Sequence, residues 1–306
     1  MPSYTWPEFP ATKESNFEQK ARTALNSWRS NAADMDIRIE DIEGFLENNS
    51  DFTPDPTRFR NSVHNALITD GVAKNINYYV DPDTGSDTND GSSSAPFATL
   101  EKALESVPPG GHAVIYLNAG KTYTLTRPVI LFNTTILVSK TGTDSVTITP
   151  QYYVSGDKAW CPCISLRNSC IRFEKVTFNI VTNTTGYSFS LHQNSIVRVG
   201  RNDCFGAVHF YYCDIDINDI DVRLVSGNNY GDGPSIIGVS HYAITINVNA
   251  DGFLIDISKS TLAYSVSGGT INDNAGTGKT TYQSLVTGVV KDTDGKPRNV
   301  ISNLIF

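Results

Sequence analysis

Between residues 113 and 181 the sequence runs through six short β patterns in quick succession: 113–117, 129–132, 135–139, 146–149, 170–173 and 176–181. Each is rich in Val, Ile, Phe and Thr, and the loops between them carry Asn, Gly, Asp and Ser. No helix-length pattern interrupts the series, which excludes a doubly wound α/β sheet, since that class needs a helix between successive strands. The fold class expected is all-β.

The strands recur in a loose repeat. Asn133, Asn168, Asn194, Asn218 and Asn249 each stand just ahead of a strand pattern, 35, 26, 24 and 31 residues apart. A period in the twenties and thirties suits one turn of a three-sided coil with loops of variable length. Asparagines stacked at one corner of such a coil would bond along a ladder, although Asn is also a common turn residue for local reasons. The ladder is the expectation carried forward.

Ahead of the repeat stands a short apolar strand at 78–80, then a loop rich in Gly and Asp. An amphipathic helix follows, with Phe97, Leu100, Ala103, Leu104 and Val107 on one face. One helix leading into a run of strands is placed to cover the open end of a stacked core. Within this stretch Val80-Asp81-Pro82, Gly85-Ser86-Asp87, Asp90-Gly91, Pro96-Phe97-x-Thr99 and Ala103 resemble the opening motif of right-handed parallel β-helix proteins of the pectate-lyase-like superfamily. That superfamily includes bacteriophage tailspikes and carbohydrate-active enzymes. The resemblance implies a right-handed parallel β-helix, or solenoid, over residues 76–306. It says little about activity, because one fold hosts many functions.

Residues 1–75 read as a separate N-terminal α-helical attachment region. Trp6 and Phe9 stand among Pro2, Pro7 and Pro10 in an extended arm with nothing of its own to bury them in. They are expected to dock on another protein. Phe17, Ala21, Ala24, Leu25 and Trp28, then Ile37, Ile39, Ile42, Phe45 and Leu46, form an apolar stripe opposite an acidic face. Such a stripe wants partner helices, and three copies around an axis would supply them. A homotrimer is expected.

The 306-residue chain has a formal net charge of −8 and only 18% charged residues. It has no cluster of Lys and Arg, so nucleic acid is not an expected partner. No apolar run of membrane-spanning length occurs and the first residues lack a basic-then-apolar leader, so neither membrane insertion nor signal-peptide export is expected. The five cysteines, Cys161, Cys163, Cys170, Cys204 and Cys213, lack ligand spacing and are read as reduced, buried thiols. No metal and no cofactor is expected. Gly276-Thr277-Gly278-Lys279-Thr280 ends like a phosphate loop but lacks the leading glycine, and is read as a flexible loop.

Two sets of residues suggest chemistry. Asp214 and Asp216 alternate with Ile215 and Ile217, which puts both carboxylates on one side of a strand. Glycoside hydrolysis needs two carboxyls facing one sugar, so this is the candidate catalytic pair; a solvated strand face is the competing explanation. Tyr211, Tyr230 and Tyr242 are the candidate glycan-binding aromatics, with Phe205, His209 and Tyr212 in the same stretch. His192, His209 and His241 are each isolated and are expected to be structural.

With the resemblance, the functional expectation is a bacteriophage virion appendage, a short tailspike or tail fibre subunit. It would be made in the host cytoplasm, attach to other tail or baseplate proteins by its N-terminus, and present the β-helix to host surface polysaccharide. Little or no enzymatic activity is expected. The alternative is a polysaccharide depolymerase, lyase or glycosidase, acting on capsule or lipopolysaccharide.

Overall fold

The computed structural model describes residues 75–189, 194–199, 205–227, 235–258 and 260–306. Trp6, Phe9, the two helical patterns of residues 1–75, His192, Cys204 and Tyr230 lie outside the described residues.

The strands stack in three parallel faces. The first holds Asn75–Val80, His112–Leu117, Thr135–Lys140, Ser169–Glu174, Phe205–Tyr211, the opening halves of the long strands Ser235–Val248 and Ser260–Asp273, and Val300–Ser302. The second holds Thr122–Leu125, Thr147–Pro150, Thr177–Ile180, Asp214–Ile217 and the closing halves of the same two long strands. The third holds Val129–Phe132, Ile164–Arg167, Ser195–Val199, Arg223–Ser226, Ile255–Asp256 and Val286–Thr287. The chain therefore visits the faces in rotation, and each strand pairs in parallel with its counterpart one turn later. This is a parallel β coil, as the strand series and its loose repeat foretold.

Residues in register form files that run from turn to turn. Ile115, Val138, Phe173, Phe210, His241 and Val266 make one interior file of the first face. The Phe173 and Phe210 rings stack at 5.9 Å, and Phe178 of the second face meets them edge-on at 4.9 and 5.6 Å. All three rings are fully buried, and each contributes roughly 1.5–3 kcal/mol by leaving water.

In four turns the corner between the first and second faces is marked by one residue with left-handed backbone. Lys175, Tyr212, Ala243 and Gly268 hold it with φ of 56°, 53°, 49° and 72°. This left-handed conformation is uncommon for a residue with a side chain, and Tyr212 is the bulkiest of the four.

The helix, α1, spans Leu100–Glu105 and rests on the first turn with Phe97, Leu100, Ala103, Leu104 and Val107 all buried. The opening motif explains itself physically. The Asp87 carboxylate accepts bonds from the Ala98 and Thr99 amides at 3.0 and 2.9 Å and from the Thr99 hydroxyl at 2.7 Å. Thr99 in turn caps the helix by accepting from the Lys102 amide at 3.2 Å. A Cβ on Gly85 would stand 2.2 Å from the Phe97 carbonyl oxygen, so only glycine fits.

One insertion breaks the pattern. Tyr153–Ser155 and Lys158–Trp160 form an antiparallel hairpin between the second and third faces. Among the described residues no helix is long and apolar enough to cross a membrane.

The expected asparagine ladder exists in part: Asn218 and Asn249 belong to it, whereas Asn133, Asn168 and Asn194 stand at other corners. Asn133 and Asn168 sit at the corner before the first face with φ of 52° and 51°, and Asn194 precedes a third-face strand. The bonded series is Asn179, Asn218, Asn249 and Asn274, in which each amide donates to the side-chain oxygen of the residue one turn back at 2.9, 2.8 and 2.8 Å. Loop lengths differ from turn to turn, so residues that open a strand in sequence belong to different corners in space.

The 276–280 loop is pinned. Asp273 accepts from the Thr277 and Gly278 amides at 3.0 and 2.7 Å. Lys279 is buried, pairs with Asp251 and lies 3.9 Å from the centre of the Phe253 ring. The lysine serves the coil's corner.

Candidate functional site

On the outer side of the first face, small residues form a floor. Cys170, Ala207, Gly238 and Ala263 lie in one outward file, in a groove of about 560 Å³ with Phe205 and His209 among its lining. A Cβ on Gly238 would come within 3.3 Å of the Ala207 Cβ and 3.7 Å of the Phe205 ring, so glycine keeps the floor open there. Burial pushes the Cys170 thiol up, which leaves it protonated and unreactive near neutral pH.

The next two outward files carry the chemistry. Arg172, His209, Ser240 and Ser265 make one, and Glu174, Tyr211, Tyr242 and Ser267 the other. Arg172 pairs with Glu174 while its guanidinium lies 3.7 Å from the centre of the Tyr211 ring. Tyr211 stacks on Tyr242 at 5.5 Å, with 25° between the planes. Tyr212, thrown outward by its left-handed corner, meets Tyr242 edge-on at 5.4 Å. Tyr242 and Tyr212 remain 41% and 53% exposed, so ring surface is open to a ligand.

His209 lies beside Arg172 in register and its Nδ1 is bonded to Ser240 Oγ. Burial, and then the neighbouring Arg172 charge, hold its pKa below the usual value. The ring is therefore neutral at physiological pH and able to take a proton. Such a site offers aromatic faces for a sugar ring, a guanidinium and carboxylate for hydroxyls, and a neutral imidazole.

Of the residues singled out in the sequence, Tyr211 and Tyr242 are brought together, with His209 and Tyr212 beside them. Phe205 lines the neighbouring groove with His209. Asp214 and Asp216 are elsewhere, pointing outward from the second face beyond the corner at Tyr212. Their files are polar throughout: Thr177, Asp214, Thr245 and Thr270 in one, Asn179, Asp216, Asn247 and Asn272 in the other. Asp216 accepts from the Asn247 amide at 2.7 Å, and Asn247 accepts from Asn272 at 2.9 Å. Arg172, Glu174 and Ser240 were not legible as site residues, because only the register between turns sets them beside the tyrosines.

The remaining histidine and cysteines belong to the interior. His241 is buried inside the coil with Nδ1 3.0 Å from the Tyr264 hydroxyl. Cys161, Cys163 and Cys213 are buried free thiols whose pKa burial raises, that of Cys213 to about 11.

No family model matches the chain, and no curated protein matches it. Among solved structures, it is similar to two crystal structures of a GH136 lacto-N-biosidase from Eubacterium ramulus. The selenomethionine derivative matches with a TM-score of 0.37 and 12% identity, over 71% of this chain and 55% of that one. The native form matches with a TM-score of 0.36 and 12% identity, over 82% of this chain and 52% of that one. The chain thus spans about half the length of the proteins it matches.

Proposed function

We propose that the chain engages an extended polysaccharide along the outer side of its first face. The observation that carries this reading is the aromatic cluster in which Tyr242 and Tyr212 keep open ring surface while Tyr211, held between Arg172 and Tyr242, backs them. Beside this cluster the small-residue groove crosses successive turns at Cys170, Ala207, Gly238 and Ala263, so successive sugar units of one strand can meet successive turns. Binding of the full chain to an array of bacterial surface polysaccharides tests it. Tyr242→Ala should weaken the best-bound glycan about tenfold, or 1.4 kcal/mol; unchanged affinity would remove the site.

In the same proposal the polysaccharide belongs to a host cell surface and the chain is a homotrimeric bacteriophage appendage, wound right-handedly as parallel crossovers nearly always are. Support comes from the opening motif at 80–103 and from the amphipathic stripe before residue 75. Residues 1–75 are the attaching region, with Trp6 and Phe9 as anchors on other tail proteins. Trp6→Ala with Phe9→Ala should lower incorporation into particles while leaving the β circular dichroism intact. Normal incorporation of that variant would refute the assignment.

A second reading, cleavage of the bound polysaccharide, is favoured by the neutral His209 that lines the groove, with the Arg172–Glu174 pair on the strand one turn back. A base beside a cation suits the proton abstraction of a lyase, whereas a glycosidase would need a second carboxyl besides Glu174. A reducing-end assay on the bound glycan decides it, with His209→Asn as the variant that should lose the signal.

A further inference from the structure

The hairpin inserted between the second and third faces carries a surface of its own. It pairs Tyr153 with Trp160 and Ser155 with Lys158, and a single parallel bridge joins Ala159 to Phe189. Side chains alternate along a strand, so Ala159 turns inward, fully buried, while Tyr153, Lys158 and Trp160 share the other side. Tyr152 meets Phe189 edge-on at 4.9 Å and donates to the Val181 carbonyl at 2.6 Å, which fastens the hairpin to the coil. The platform is thus held rigid from behind.

On the outer side the Tyr153 and Trp160 rings are nearly parallel, with centroids 6.4 Å apart and 20° between planes. The indole N–H of Trp160 is spent on the Ser155 carbonyl at 3.2 Å, so the ring's own offer to a ligand is its apolar face. Lys158 reaches the Ser188 hydroxyl at 3.2 Å, and among the described residues no carboxylate pairs with it. Burial raises the Tyr153 phenol, and the charge of Arg198 opposes that rise, which puts a second cation in the same neighbourhood. In a chain of net charge −8, Lys158 thus sets a cation beside paired aromatic rings, next to Asp157 but in no ion pair among the described residues.

We propose that the hairpin is a second glycan subsite, one that takes a negatively charged sugar unit with its ring on Trp160 and Tyr153 and its acid group at Lys158. The proposal rests on the reading of the chain as a polysaccharide-engaging protein but uses none of the first-face residues. An aromatic surface supplies the ring contact, and a lysine in no ion pair among the described residues supplies the selection for charge.

The test uses the full chain and three polymers with one backbone: dextran, carboxymethyl-dextran and dextran sulfate. Affinity is read by calorimetry and contact with the hairpin by tryptophan fluorescence. Both anionic polymers should bind about tenfold tighter than dextran and lose that margin as salt rises. Lys158→Gln, a surface change that leaves the hairpin's packing untouched, should erase the preference, and Trp160→Ala should weaken binding and remove the fluorescence response. Tyr242→Ala should leave the preference as it is. Equal binding of all three polymers, no binding of any, or a preference that survives Lys158→Gln would overturn the subsite. A preference lost in Tyr242→Ala would overturn it too, by moving the charge selection to the first-face groove. Retention of array binding alongside any of these results would leave the first-face reading standing.

Discussion

His241 is the group whose titration the coil is least able to accept. It lies in the interior file between Phe210 and Val266, its ring 5.2 Å from Tyr264 and 5.8 Å from Tyr282. Nδ1 has the Tyr264 hydroxyl, whereas Nε2 is buried with no partner among the described residues. The ionisable groups against it are those two tyrosines, and neither supplies a negative charge in acid. Burial accordingly lowers its pKa to about 3. In the unfolded chain a histidine titrates near 6.5. Above about pH 6.5 the residue is neutral in both states and costs nothing; below it only the unfolded chain binds the proton, so stability falls with falling pH until about pH 3, where the folded state protonates as well. At about 1.4 kcal/mol for each pH unit, the loss from this residue is roughly 2 kcal/mol at pH 5 and on the order of 5 kcal/mol at pH 3. Carboxylates add their own acid dependence, so the assay compares two proteins. Urea unfolding of wild type and of His241→Leu is followed between about pH 7 and pH 5, near-neutral to mildly acid. The leucine variant strands the Tyr264 hydroxyl, an offset that does not change over this range and cancels in the comparison. Wild type should lose about 2 kcal/mol more than the variant on acidification. Equal losses would show that the ring is solvated or already charged in the folded state, and the reasoning would fail.

Two further outcomes follow from the files. Phe173→Ala empties a position stacked on Phe210 and edge-on to Phe178, and should destabilise by about 3–5 kcal/mol in the same unfolding assay. Asp214→Asn with Asp216→Asn should change stability by no more than about 0.5 kcal/mol, since an amide oxygen at 216 still accepts from Asn247. The double variant should also bind polysaccharide as wild type does; loss of any measured glycan cleavage would instead return the pair to a catalytic role.

The strand pattern and the cap were legible because each rests on short-range physics. A strand with one side in the core must alternate, as Thr177–Ile180 and Asp214–Ile217 do, and a helix laid on a coil must show one apolar stripe, as 97–107 does. What could not be read was which residues meet across turns. Arg172 and Tyr211 touch only because Ser169–Glu174 pairs with Phe205–Tyr211 in one register, and nothing local announces that register. The same gap misplaced the asparagine ladder: Asn274 precedes Ala275 and Gly276 rather than a strand pattern, yet it bonds to Asn249. The long strands at 235–248 and 260–273 turn the first corner without ending. A scan for separate short strands passes over that continuity.

The files also govern how such a chain can change in length. Without residues 235–259, the pairing would set Ala207 opposite Ala263, Phe210 opposite Val266 and Asp214 opposite Thr270. Small would meet small, apolar would meet apolar, and polar would meet polar. A turn is thus interchangeable with its neighbours, and gene segments encoding one can be lost or duplicated in whole steps without redesign of the rest. Individual identity matters instead where the helix closes the first turn, at Gly85, Asp87 and Thr99.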